Sequence, residues 1–371
     1  MTAAAAKILI LDGEGIGPEI MAEVRRVLDW FDRKRNLRFE IQDELYGSAA
    51  YARHGKVISD QALTAMRQAD AILFGATGGP AFERIPAPVR REGTLLRIRK
   101  TLDLYANLRP VFAIKALEQA SALKPRVLQG VDLVIVRELT GGMYFGEPRG
   151  VTTLPDGSRV GINTHRYTSG EIQRIAQVAF ELARTRSRRV CSVDKSNVME
   201  AGALWREEVT RLRDANYPDI ELRHMLADNC AMQLVRAPAQ FDVILTDNLF
   251  GDLLSDGAAM IMGSLGMLPS ASLGAVQADG RRPALYEPVH GSAPDIAGQG
   301  IANPLGAILS LALAFRLSLG LPAEAVRLER AVTAALDDGA RTADIALAGE
   351  STVSTAAMGA AVLAALDNLA P

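Results

Sequence analysis

Short apolar runs recur along this chain, and the residues between them take up helical spacing. The first run, Lys7 to Leu11, reads as a buried strand. It passes through a turn containing Gly13, Gly15 and Gly17 into a helix opened by Pro18, a favoured first helical residue. Ile20, Val24, Val27, Leu28 and Phe31 then fall on one helical face. Further strands are expected over residues 71–74, 131–136, 190–193 and 241–246. Helices are expected over 169–183, 198–212, 249–262, 304–319 and 322–336. Strands that alternate with helices imply an α/β fold with largely parallel sheets covered on both faces. One segment breaks the rhythm. Residues 141–164 are rich in Gly, Pro, Asp and Thr and read as a β-arm or a loop without helix.

With 371 residues the chain is long enough for one large core or two lobes. A hydrophobic content of 49% with 23% charged residues marks a folded globular protein. The net charge of −2 supplies no polybasic surface for nucleic acid or anionic membrane. The longest apolar stretch in a helical context, Leu305 to Phe315, is broken by Ser310 and falls far below the ~20 residues of a membrane span. The run after Lys7 is too short for a signal-peptide core, and the two cysteines, Cys191 and Cys230, form no CxxC pair. A cytoplasmic protein with reduced thiols is expected.

Several residues have chemical potential. The first glycine turn is not the dinucleotide fingerprint, because Pro18 stands where that pattern wants Gly or Ala. It is equally a tight turn that needs glycine. Asp252 and Asp256 are four apart, so on a helix their carboxylates share a face. Such a pair suits a hard cation such as Mg²⁺ or Mn²⁺, or else marks acids favoured near a helix N-terminus. Asp228 offers a third oxygen donor that spacing alone does not place. Arg99, Arg109 and Arg137 lie near element ends, Arg137 directly after the strand 131–136. Their guanidinium groups are suited to gripping carboxylates, or to serving as surface charge. Lys195 follows the strand 190–193 and is a candidate base, and Tyr144 is a candidate proton donor. The loop His290-Gly291-Ser292-Ala293-Pro294-Asp295-Ile296 has small residues that let backbone amides approach a ligand, and an acid for ribose hydroxyls.

Taken in order, these stretches resemble the β-decarboxylating dehydrogenase family, which includes isopropylmalate, isocitrate, homoisocitrate and tartrate dehydrogenases. The resemblance rests on Leu95 to Lys100, Ala106 to Pro110, Val136 to Glu147, Val193 to Val198, Asn248 to Asp256 and Glu287 to Ile296, and covers nearly the whole chain. It implies a two-lobed isopropylmalate-dehydrogenase-like fold. Residues 1–104 and 263–371 would form the cofactor lobe. Residues 105–262 would form the substrate and dimerisation lobe, with an arm at about 141–164. It also implies that Arg99, Arg109 and Arg137 bind substrate carboxylates, and that Asp228, Asp252 and Asp256 hold Mg²⁺ or Mn²⁺. Lys195 would take the hydroxyl proton as hydride leaves for the cofactor, and Tyr144 would help protonate the enolate left by decarboxylation. Lys195 and Asp228 would come from the partner subunit, making the protein a homodimer with shared active sites.

The same resemblance implies NAD as cofactor, because the Asp295-Ile296 pair stands where NADP-using members accept a 2′-phosphate. The loop 291–303, Asn303 included, would hold the adenosine part, with Gly79 to Glu92 near the nicotinamide. The run Glu92-Gly93-Thr94-Leu95-Leu96 places two leucines before the first substrate arginine. With Val198 they imply an apolar wall that suits an isopropyl group and disfavours an extra carboxylate. The expected reaction is therefore oxidative decarboxylation of 3-isopropylmalate to 4-methyl-2-oxopentanoate, in leucine biosynthesis. Three stretches depart from the family pattern: Glu14 in the first turn, Phe82 to Pro86, and Gly161 to Arg166, which introduces His165 and Arg166. They leave open a paralogue acting on tartrate, malate or homoisocitrate. A regulatory subunit would have lost some of Tyr144, Lys195 and the aspartates, and all are present.

Overall fold

The computed structural model describes residues 5–369. Along the chain the strands are β1 (Ala6–Gly13), β2 (Phe39–Asp43), β3 (Ala71–Ala76), β4 (Ala106–Phe112), β5 (Asp132–Glu138), β6 (Gly146–Thr153), β7 (Arg159–Thr164), β8 (Arg189–Asp194), β9 (Glu221–Leu226), β10 (Val243–Thr246), β11 (Pro269–Leu273) and β12 (Ala284–Pro288). The chain divides into two compact units. The first comprises residues 1–104, 113–125 and 259–371, and the second 105–112 and 126–258. The short returns at 113–125 and 259–262 were expected in the other unit.

In the first unit the strand order is β2-β1-β3-β12-β11. β1 pairs in parallel with β2 and β3, β12 in parallel with β3, and β11 and β12 run antiparallel. Ile8, Leu9, Ile10 and Leu11 are all buried, as a strand covered on both faces requires. The helix Leu305–Leu317 is buried on every side from Leu305 to Phe315. That burial explains its apolar, nearly unpatterned sequence. The helix Gly17–Arg35 buries one face, and Phe31 meets Phe315 edge-on at 4.9 Å.

In the second unit the order is β4-β5-β10-β8-β9. β4 and β5 run antiparallel and the remaining pairs are parallel. The helix Ser169–Arg184 opens with a capping box in which Thr168 and Glu171 satisfy each other's backbone amides. It buries Ile172, Ile175, Ala179 and Phe180. β6 and β7 form a separate antiparallel hairpin.

Several sequence expectations are corrected at element ends. β5 runs on to Glu138, so Arg137 sits inside the strand rather than after it. Residues 141–164 contain a single 3₁₀ turn, Gly142–Tyr144, before the hairpin. β2, β4, β9, β11 and β12 escaped the apolar-run criterion. β2 and β9 are edge strands with mixed polarity, while β4, β11 and β12 carry Asn, Arg, Ser, Glu or Pro. Both cysteines are free and buried, and burial pushes the Cys191 thiol up to about 11. Among the described residues no helix is long and apolar enough to cross a membrane.

Candidate active site

In the second unit, strand register sets the site. Asn107 of β4 lies opposite Arg137 of β5, and Arg109 opposite Ile135. Because side chains alternate, Arg109 and Arg137 leave the same face of the sheet on a diagonal. Both are almost fully buried. A buried guanidinium needs partners for its donors. Arg109 Nε donates to Asn107 Oδ1 at 2.9 Å, and Nη1 donates to Ser255 Oγ at 2.5 Å and Asp256 Oδ1 at 2.9 Å. Arg137 donates through Nε and Nη2 to Asn248 Oδ1, at 3.1 and 2.8 Å, and through Nη1 to Asp252.

All four acceptors outside β4 lie on the helix Asn248–Ala259. Asn248, Asp252, Ser255 and Asp256 stand at i, i+4, i+7 and i+8, which is one helical face. Asp252 and Asp256 share that face as their spacing requires. The cation between them is Arg109, whose Nη2 is also 4.0 Å from Asp252 Oδ1. Tyr144 joins through its hydroxyl, which donates to Asp252 Oδ2 at 2.8 Å, and the Arg137 guanidinium lies 5.8 Å from its ring centre. Partial burial pushes the Tyr144 phenol up, and Asp252 adds to the effect. Burial by itself would raise Asp252, but Arg137, the Tyr144 hydrogen bond and Arg109 outweigh it and hold the acid below the usual carboxylate range.

Lys195 and Asp228 follow the C-terminal ends of the neighbouring parallel strands β8 and β9. They pair with each other, Nζ to Oδ1, at 2.9 Å. Asp228 is exposed, and its hydrogen bond to that lysine holds it below its ordinary value. β10 lies between β5 and β8. Among the described residues no three acids, histidines or cysteines gather in a metal-holding group. The acids expected to bind a cation therefore fall into a pair, Asp252 and Asp256, and a separate Asp228. Val198, in the turn after Lys195, is exposed.

In the first unit three loops converge. Ile16 N donates to Ser292 O at 2.9 Å, and a Cβ on Gly15 would lie 2.0 Å from that oxygen. Glu14 N donates to Ala76 O, and Gly79, at φ +103°, has Ser292 Oγ and Pro294 against it. Gly79, His290, Gly291, Ser292, Ala293 and Pro294 are thus brought to the first glycine turn. Glycine is required there because the backbones touch. Burial lowers the His290 imidazole below its ordinary value. Asp295 and Glu92 are exposed and Ile296 half-buried. Asn303 has structural work as well: its Oδ1 accepts from Leu305 N at 2.9 Å and its Nδ2 donates to Asp344 at 3.0 Å. The helix Leu95–Thr101 carries Leu95, packed against the core, Leu96, exposed, and Arg99. Arg99 Nη2 meets Glu287 Oε1 at 2.6 Å, while its Nε is buried without a partner.

Sequence reasoning assigned no role to Asn107, Glu138, Tyr167, Asn248, Ser255 or Glu287. Asn248 and Ser255 were within reach of the helical spacing that picked out Asp252 and Asp256. The others are partners across strands or loops, for which spacing has no signal.

The isocitrate/isopropylmalate dehydrogenase family model matches residues 7–362. A 3-isopropylmalate dehydrogenase of Cereibacter sphaeroides is 59% identical over 97% of this chain and 98% of its own length. One of Gluconobacter oxydans is 58% identical over 99% of both. Among solved structures, an isocitrate dehydrogenase from Methylococcus capsulatus matches with a TM-score of 0.83 at 33% identity, covering 97% of this chain and 99% of that one. A β-decarboxylating dehydrogenase from Thermococcus kodakarensis matches with a TM-score of 0.76 at 34% identity, covering 98% and 97%.

Proposed function

The chain belongs to the isocitrate/isopropylmalate dehydrogenase family, and from that premise we propose that it oxidises and decarboxylates 3-isopropylmalate to 4-methyl-2-oxopentanoate with NAD. The observation that carries the reading is the cluster of Arg109, Arg137, Tyr144, Asp252 and Asp256, where two buried cations, two acids and a phenol meet within hydrogen-bonding distance. Relatives that match over nearly full length and are named for this substrate favour it over other 2-hydroxy acids.

In this reading Arg109 and Arg137, together with Arg99, grip the two carboxylates of the substrate, and the unpartnered Nε of Arg99 is a donor ready for one of them. Lys195 of a second copy would accept the proton of the C2 hydroxyl, and NAD, when bound, would supply the acceptor for the hydride from C2. The C3 carboxylate then leaves as carbon dioxide, and its bonding electrons enter an enolate that Tyr144 protonates at carbon. Leu95, Leu96 and Val198 receive the isopropyl group.

Asp252 and Asp256 fit a divalent cation, since they already share a positive group on one helix face. With Asp228 of a second copy they would hold Mg²⁺ or Mn²⁺, which when bound polarises the substrate oxygen at C2. That need for a second copy, and the exposed Val151, Leu154, Val160 and Ile162 of the hairpin, support a homodimer. NAD would lie on the loop His290 to Ile296 with Gly79, Glu92 and Asn303, and the Asp295 carboxylate would repel the 2′-phosphate of NADP. The setting would be leucine biosynthesis in the cytoplasm.

The test is NADH formation by the purified protein with Mg²⁺ or Mn²⁺ over 3-isopropylmalate, isocitrate, homoisocitrate, tartrate and malate. A preference of about tenfold or more for 3-isopropylmalate is expected. Equal or better turnover of another acid overturns the substrate assignment, and activity that survives a chelator overturns the metal.

A further inference from the structure

His165 is one of the departures that the function above leaves unused. It lies just beyond β7, and its side chain is 9% exposed and that of Asp247 8%. Nε2 of His165 is 3.2 Å from Asp247 Oδ2. The other oxygen of Asp247 accepts from Phe250 N at 2.8 Å and so caps the helix Asn248–Ala259. Two residues on, the Tyr167 hydroxyl accepts from Asn248 N at 3.0 Å and donates to Glu138 Oε2 at 3.1 Å. Consecutive residues at the head of one helix are therefore held by His165 and Tyr167, whose own rings meet edge-on at 5.3 Å.

What this clasp holds is the frame of the site. Asn248 Oδ1 accepts from Nε and Nη2 of Arg137, and its Nδ2 donates to Gly141 O at 3.1 Å. Glu138 takes the amides of Thr140 and Gly141, which lead into the turn of Tyr144. One turn further along the same helix is Asp252. A shift of the helix start would move Arg137, Tyr144 and Asp252 together, and displacements of ~1 Å are enough to lower a rate by about a hundredfold.

We propose that His165 is a positioning residue: through Asp247, and beside Tyr167, it fixes the first turn of the helix Asn248–Ala259 and with it the geometry of Arg137, Tyr144 and Asp252. The proposal rests on the reading of that cluster as the active site. His165→Phe keeps ring volume and removes the donor, while His165→Gln keeps an N–H for Asp247. Tyr167→Phe removes the second grip without touching the first.

The experiment is run on the full-length protein, with three readouts: kcat and KM for 3-isopropylmalate, amide hydrogen exchange across residues 248–252, and the thermal midpoint. His165→Phe is expected to lose about tenfold or more in kcat, with faster exchange in that turn and a midpoint close to the parent's. His165→Gln is expected to recover most of both. Parent-like kcat and exchange in His165→Phe overturn the proposal, as does a loss that His165→Gln shares in full. If His165→Phe does not fold, Tyr167→Phe decides: faster exchange with lower kcat supports the clasp, and neither change overturns it. Should the parent protein turn over none of the five acids, the substrate reading fails, whereas the exchange data still decide whether His165 fixes the helix start.

Discussion

The hydroxyl of Tyr144 donates to Oδ2 of Asp252 at 2.8 Å, while the other oxygen of the same carboxylate takes Arg137. One acid thus orients both the proposed proton donor and a proposed substrate cation. Tyr144→Phe keeps the ring over which Arg137 lies and removes the hydroxyl, with its proton and its hydrogen bond to Asp252. Its kcat is expected to fall by about 10² to 10⁴ with KM little changed. Steady-state NADH formation checks this, and an unchanged kcat would remove Tyr144 from the chemistry.

Lys195 is assigned the base, and its amine is bonded to Asp228 at 2.9 Å. Lys195→Ala is expected to abolish hydride transfer while the affinity for NAD stays near the parent's. Single-turnover NADH formation together with calorimetric NAD titration measures both. Normal turnover refutes the base role.

Gly251 lies under Arg137: a Cβ there would sit 2.5 Å from Arg137 Cγ. Replacing a helical glycine by alanine ordinarily gains up to ~1 kcal/mol. Here the added methyl must push the arginine aside. Gly251→Ala is expected to raise KM for 3-isopropylmalate about tenfold or more, which corresponds to about 1.4 kcal/mol of lost carboxylate binding. Its thermal midpoint should stay close to the parent's. An unchanged KM would show that Arg137 does not hold the substrate.

His224 is bonded through Nε2 to Thr210 at 2.9 Å, and burial, followed by Arg206, lowers its imidazole below the ordinary value. Asp194 opposes the shift and Arg213 adds to it. The folded chain thus binds this proton more weakly than the unfolded chain does. The stability involved is present above the ordinary imidazole pKa of about 6.5 and is lost as pH falls through the lower folded value. His224→Gln should show a smaller drop in thermal midpoint than the parent between about pH 7.5 and about pH 5.5. Equal drops would assign the acid sensitivity to other groups.

Local pattern determined a good deal by itself. The apolar runs at Lys7 to Leu11 and around residues 190–193 and 241–246 identified strands of the buried sheets. The four-residue spacing of Asp252 and Asp256 put both acids on one helix face. These are relations between near neighbours, and a strand or helix fixes them whatever surrounds it. The tertiary structure decided what those residues face. Arg109 lies between the two acids and Asn248 holds Arg137 because β4 and β5 pair with Asn107 opposite Arg137. Tyr144 reaches Asp252 across more than a hundred residues, and His165 reaches Asp247 across more than eighty. Lys195 pairs with Asp228 because β8 and β9 end side by side. Such contacts depend on strand register and on the burial that obliges each polar group to find a partner. Neither is written in the spacing of residues along the chain.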